Sequence, residues 1–163
     1  MSAALQVEDI HSYYGKSHII QGVSLEVRDG EIVTLLGRNG AGKSSTLKSI
    51  SGLLTPKRGK IWMSGRETTG WPAYRIAQNG LSLVPEDRGI FSLLTVEEIV
   101  DQIKKIRAAG VPILLVEQNL AVCTALADRH YILELGRIAY HGTGAQFIAD
   151  EDARDRYLGV KAN

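Results

Sequence analysis

The segment that most constrains this chain is Gly37-Arg38-Asn39-Gly40-Ala41-Gly42-Lys43-Ser44, which fits G-x-x-x-x-G-K-[ST] at every position. Ahead of it stands Ile32-Val33-Thr34-Leu35-Leu36, apolar apart from one threonine. That pattern suits a strand covered on both faces, as in a parallel sheet. Behind it, Lys43 to about Leu54 reads as a helix ended by Gly52 and Pro56. The order strand, glycine turn, helix is what the chemistry of this pattern requires. Glycines let the backbone curl so that successive N–H groups point inward at phosphate oxygens. The helix start adds its free N–H groups and the positive end of its dipole. Lys43 is then expected to reach the β- and γ-phosphates of a nucleotide, and the Ser44 hydroxyl to ligate Mg²⁺. That ion takes few protein ligands beside phosphates and water. Without its flanks the motif would be a glycine turn with an exposed lysine.

The rest of the chain alternates strands and helices. Leu5, Val7 and Ile10 fit a short strand, and Val23, Leu25 and Val27 alternate with polar residues as a half-buried one does. Asp29-Gly30 supplies a tight hairpin turn between that strand and the next. Strands are expected at Lys60–Met63, Leu81–Val84 and Ile113–Val116, and a hairpin at Tyr131–Leu135 and Arg137–His141 about Gly136. Helices are expected over Pro72–Asn79, Thr95–Ala109, Leu120–Ala127 and from Gln146 onward. Thr95 with Glu98 forms a capping box, and Val96, Ile99, Val100, Ile103 and Ile106 share one helix face. The fold class that follows is α/β, a P-loop NTPase core with a mainly parallel sheet.

Composition narrows the functions. Lys and Arg number 19 against 18 Asp and Glu, so no global charge draws the chain to nucleic acid. One cysteine, Cys123, allows no internal disulfide and no multi-cysteine zinc site. His11, His18, His130 and His141 have no metal-ligand spacing. No signal-peptide pattern opens the sequence and no apolar run approaches a membrane span. These features point to a cytosolic protein that reaches a membrane only through a partner.

With these residues in hand, the chain resembles the ATP-binding subunits of ABC transporters, above all those of branched-chain amino acid importers. The resemblance rests on Tyr13-Tyr14-Gly15, Gly22–Val27, Gly30–Gly37 and Ile50-Ser51-Gly52-Leu53. It continues through Leu83-Val84-Pro85-Glu86, Leu114–Asn119, Ala127-Asp128-Arg129 and Leu135–Ile138. It implies ATP and Mg²⁺ as ligands and an antiparallel β flank beside the core. The nucleotide-binding set is then Tyr14, Gly37, Arg38, Asn39, Gly40, Ala41, Gly42, Lys43, Ser44, Ser45, Glu86 and Gln118, with Ser44 as the metal ligand. Tyr14 resembles the aromatic that stacks on adenine, a reading preferred over a tyrosine packing on a hairpin because an aromatic face suits a flat base. Glu86 stands where most of the family has the Q-loop glutamine, and otherwise reads as a solvated loop carboxylate. Gln118 takes the place of the switch histidine, and otherwise reads as a helix cap. The implied partners are a second ATP-binding subunit and integral-membrane permease subunits, at the cytoplasmic face of the membrane.

One departure outweighs these matches. The family carries a helical subdomain with an L-S-G-G signature, then a strand ending in Asp-Glu that orients Mg²⁺ and activates water. No L-S-G-G occurs in this sequence, and no four-residue apolar run in it ends in Asp-Glu. Val96-Glu97-Glu98-Ile99 resembles both the start of that subdomain and the helix beyond it. The shared pattern implies an in-frame deletion with its junction near 96–99, whether as a deleted gene copy, an engineered minimal domain or an annotation error, leaving residues 1–163 as a single truncated nucleotide-binding domain. Binding is expected to survive; catalysis and transport are not. The lost strand lies inside the family's sheet, so Leu81–Val84 is expected to pair directly with Ile113–Val116. No catalytic residue is assigned. The alternatives are a non-hydrolytic remnant or regulatory module, and another P-loop class such as a GTPase or small-molecule kinase. The last lacks an N-K-x-D motif.

Overall fold

The computed structural model describes residues 3–83, 93–117 and 120–158. Two four-stranded sheets organise them. The first is built on a long hairpin, β1 (Ala3–Tyr14) against β2 (Ser17–Arg28), turned at Gly15-Lys16. β4 (Arg58–Met63) pairs with the other edge of β1, and the short β5 (Arg66–Glu67) pairs with β4; every pairing is antiparallel. The second sheet has the order β6-β3-β7-β8. Here β6 (Ile113–Val116) and β7 (Arg129–Glu134) both run parallel to β3 (Ile32–Leu36), and β8 (Arg137–Thr143) folds back antiparallel on β7. Every residue of β3 is buried, as its unbroken apolar run requires.

Six helices are interspersed with the strands among the described residues. α1 (Lys43–Ile50) follows β3, α2 (Ala73–Gln78) follows the first sheet, and α3 (Val96–Ala108) precedes β6. α4 (Leu120–Leu126), α5 (Gly144–Ala149) and α6 (Glu151–Leu158) complete the described chain. The α3 capping box is formed as its sequence dictates: Glu98 N–H donates to Thr95 Oγ1 at 3.2 Å and Thr95 N–H to Glu98 Oε2 at 2.7 Å. α1 stops at Ile50, short of the expected end near Leu54, because Gly52 turns the chain with a positive φ.

Two expected pairings are corrected. Asp29-Gly30 does form a turn, but not a hairpin: β2 and β3 lie in different sheets. Leu81–Leu83 is not a strand, Val84 lies outside the described residues, and Ile113–Val116 pairs with β3 instead. The physical reason is burial on both faces. In register with β3, Ile113 and Leu115 join the cluster of Ile32, Val122 and Leu126, while Leu114 and Val116 join the main core. Leu81 reaches that main core by its side chain alone. α3 meets the cluster through Val100 and Ile103, yet none of its residues is fully buried. Val96 and Ile106, expected on its apolar face, remain 45% and 44% exposed.

Candidate functional site

The glycine loop runs from the carboxyl end of β3 to the start of α1. Gly42 is the N-cap of α1, with φ 108°; as a glycine it supplies no side-chain cap, and the first turn carries no acidic residue. A Cβ there would stand 2.9 Å from Ile20 Cδ1, so glycine is required by both conformation and space. Lys43 is buried, and its Nζ donates to the carbonyls of Gly37 and, at 3.2 Å, Arg38. Thr46 Oγ1 donates to Gly42 O at 2.8 Å, and Ala41 N–H to Arg38 O at 3.1 Å. Arg38, Asn39, Gly40 and Ser44 are exposed, while Ser45 is half-buried.

Neighbouring elements fix this loop. The β7–β8 turn reaches it through Gly136, whose N–H donates to Ala41 O at 2.9 Å and whose carbonyl accepts from Gln21 N–H of β2 at 2.8 Å. On the other side, Ser12 of β1 and Ser49 of α1 share a buried hydroxyl contact of 2.8 Å. The hairpin is thereby held against the loop and its helix. Tyr14 ends β1 two residues beyond Ser12 and is 44% exposed. Glu86 and Gln118 lie outside the described residues. The structure thus brings Gly37–Ser45 together as one element and links the Tyr14 hairpin to it. Sequence reasoning misses Gly136, Ser12 and Ser49; Leu135-Gly136 between two strands is the available signal, and alone it reads only as a turn.

Charges beneath the site are structural. Arg129 donates from Nη2 to Glu31 Oε2 at 3.0 Å and to the Glu26 carbonyl at 2.9 Å, with its Nε on Glu31 Oε1. Burial alone would raise the Glu31 carboxyl. Hydrogen bonds from Arg129 and from Arg28 N–H outweigh it, and the pKa falls below its ordinary value. The Arg129 guanidinium is held more firmly charged by the same partner. Asp128 accepts from Ile32 N–H at 2.9 Å and from Arg107 Nη2 at 2.7 Å, tying α3 to the base of β3. His130 is fully buried, with Nδ1 on Thr34 Oγ1 and no partner for Nε2 among the described residues. Burial pushes its pKa down.

The profile of the ABC transporter family matches residues 20–151. The chain belongs to the ABC transporter family. Within it, the chain is 31% identical to the high-affinity branched-chain amino acid transport ATP-binding protein BraG of Pseudomonas aeruginosa, over 95% of this chain and 99% of that one. That alignment spans 231 positions, more than the chain has residues, so part of the relative faces a gap. A second relative is the lipopolysaccharide export system ATP-binding protein LptB of Acidithiobacillus ferridurans, 23% identical over 98% of both chains. The fold is that of a solved nucleotide-free ATP-binding cassette from an ABC transporter, with a TM-score of 0.80 at 14% identity, covering 99% of this chain and 100% of that one. The expected α/β P-loop core with an antiparallel flank is therefore correct.

Proposed function

We infer that the chain is an ATP-binding subunit resembling those that energise ABC import of branched-chain amino acids. It binds Mg-ATP on the loop Gly37–Ser45, and in this form it neither hydrolyses ATP at an enzymatic rate nor drives transport. The observation that carries this reading is the loop itself. The N-cap of α1 is a glycine without a side chain, the first turn has no acidic residue, and a buried lysine stands beside the glycine backbone. That is a polyanion site by construction. A bound Mg-ATP supplies the phosphoanhydride chemistry. The chain's own part is to hold the phosphates on the loop N–H groups and Lys43, to offer Ser44 Oγ to the metal, and to stack Tyr14 on the base. Glu86 and Gln118 complete the set by resemblance.

The branched-chain reading is supported by the relative BraG, which the chain matches over 99% of its length. LptB, whose name points to lipopolysaccharide export, extends the kinship to a different cargo. The truncated state is supported by the missing L-S-G-G, by the lack of a four-residue apolar run ending in Asp-Glu, and by the 231-position alignment of a 163-residue chain. Residues 1–163 then form one truncated domain with its junction near 96–99. The family partners are a second ATP-binding subunit and membrane permeases at the cytoplasmic face. Without the helical subdomain, this chain lacks most of the surface that would grip them. No helix among the described residues is long and apolar enough to cross a membrane. A second reading, a nucleotide-binding remnant or regulator without a transport role, is favoured by the same missing segment.

Phosphate release by the pure protein tests the hydrolysis claim. Loss of general-base catalysis costs about 10²–10⁴ in rate. Loss of the signature's electrostatic stabilisation costs about another 10²–10³, by analogy with an oxyanion donor. From a typical turnover near 10 s⁻¹, at most about 10⁻³ s⁻¹ remains. Turnover above about 0.1 s⁻¹ that disappears in Lys43→Ala would overturn the reading.

A further inference from the structure

The β1–β2 hairpin brings together two histidines that their spacing in the sequence does not connect. Tyr13 faces His18 and His11 faces Gln21, so His11 and His18 are diagonal neighbours on one face. His11 Nδ1 and His18 Nε2 stand 3.0 Å apart. The other His11 nitrogen, Nε2, lies 3.1 Å from Asp9 Oδ1. A carboxylate only accepts, so Nε2 carries the proton and the His11 lone pair is at Nδ1, turned toward His18. His18 is held flat on Tyr13, with ring centroids 4.3 Å apart and planes 4° from parallel. The facing nitrogens share one hydrogen bond, His18 Nε2–H donating to His11 Nδ1, and no other side chain among the described residues holds either of them.

We propose that His11 and His18 form a binding site for a nitrogen-seeking divalent transition-metal ion of the Cu²⁺, Ni²⁺ and Zn²⁺ class, with Asp9 orienting His11. Two imidazole nitrogens each about 2.0–2.1 Å from one ion lie about 2.8–3.4 Å apart when the angle between them is right to tetrahedral. The observed 3.0 Å separation falls within that span. The ring centroids are 5.1 Å apart and the planes 27° from parallel, so the nitrogens face each other nearly head-on. Entry of the ion breaks that hydrogen bond: the proton on His18 Nε2 moves through solvent to its Nδ1, and the rings pivot about the facing nitrogens until both lone pairs meet at one point. Asp9 supplies the carboxylate–histidine contact that fixes the tautomer and raises the basicity of a metal-binding imidazole. Among the described residues, no group of three or more His, Cys, Asp and Glu side chains could hold a metal ion. The pair is therefore a two-ligand site completed by water, and weaker than a three-ligand one. Arg58 Nη2, 3.3 Å from Asp9 Oδ2, works against the dication, but its side chain is 72% exposed and its charge is screened. The bridge would tie β1 to β2 at the end of the hairpin that carries Tyr14.

The test is calorimetric titration of the untagged full chain with Cu²⁺ and then Ni²⁺, in the absence of nucleotide. The paramagnetic resonance spectrum of the Cu²⁺ adduct is recorded alongside. The expected result is one saturable site per chain, two imidazole nitrogens in the spectrum, and tighter binding of Cu²⁺ than of Ni²⁺. Asp9→Asn is expected to weaken binding by about 10–100-fold. Asparagine accepts the φ of 45° at that position, so the backbone is kept. His11→Gln and His18→Gln are expected to lose more than Asp9→Asn does, while His141→Gln keeps the wild-type affinity. Circular dichroism melting shows which variants are folded. If one histidine variant does not fold, the other variant and the wild-type nitrogen count decide. No saturable binding at millimolar Cu²⁺, a spectrum without imidazole nitrogens, or wild-type affinity in a folded His11→Gln or His18→Gln would overturn the proposal.

Discussion

Replacing Gly136 by alanine should destabilise the fold and loosen the phosphate loop together. Gly136 has φ +77°, and a Cβ built on it would stand 2.0 Å from Ile19 O, a backbone atom that cannot swing away. The left-handed conformation costs an alanine about 1–2 kcal/mol. Moving backbone to relieve the overlap costs about another 1–3 kcal/mol. The sum, about 2–5 kcal/mol, corresponds to a fall in melting temperature of several degrees, at roughly 2–4 °C per kcal/mol for a chain of this size. Gly110→Ala is the control. Its φ is +84° but nothing lies within 4 Å of the added Cβ, so it carries only the conformational cost. Urea unfolding followed by circular dichroism should therefore place Gly136→Ala below Gly110→Ala by about 1–3 kcal/mol. The displaced turn also carries the Gly136 N–H to Ala41 O bond. Stabilisation by Mg-ATP should accordingly shrink in Gly136→Ala and stay whole in Gly110→Ala. Equal stabilities, or equal nucleotide responses, would refute the claim that this turn braces the loop.

Acid should weaken the fold through His130. Burial keeps its folded pKa below the ordinary 6.5, so below that pH the unfolded chain takes up a proton that the folded chain refuses. Stability then falls with pH by up to about 1.4 kcal/mol per unit, levelling off once pH passes below the folded pKa. His130→Gln should flatten that part of a urea-derived stability profile; an unchanged slope would contradict it. Glu31→Gln should cost about 1.5–3 kcal/mol near neutral pH, by removing charge-assisted hydrogen bonds from Arg129 and Arg28. The lowered Glu31 pKa means this contribution is present above the ordinary carboxylate range and is lost as pH falls through it. The penalty for Glu31→Gln should therefore narrow in acid, and a penalty independent of pH would count against the ion pair.

What could be read in advance was local. The loop Gly37–Ser44, the buried strand before it and the Thr95–Glu98 capping box each depend on residues a few positions apart, and each appears where the sequence puts it. Pairing depends on partners far along the chain, and there local signals misled. Asp29-Gly30 carries the chemistry of a hairpin turn, yet the strands it joins enter different sheets. The residues Ile113–Val116 look like any apolar strand; only the two-faced burial beside β3 selects their neighbour. The buried Ser12–Ser49 contact spans 37 positions, and the His11–His18 pair exists because a register places them diagonally. Neither leaves a mark that spacing alone could reveal.

The most direct test of the account is the response of the melting temperature to Mg-ATP. A ligand that binds only the folded chain at 100 times its dissociation constant adds about 2.7 kcal/mol. For this chain length that is roughly 5–11 °C at 2–4 °C per kcal/mol. The wild type should show this rise, and Lys43→Ala should lose most of it, because the phosphates lose their charged donor. A wild-type melting curve that does not move in millimolar Mg-ATP, or a rise of equal size in Lys43→Ala, would contradict the assignment of Gly37–Ser45 as the nucleotide site.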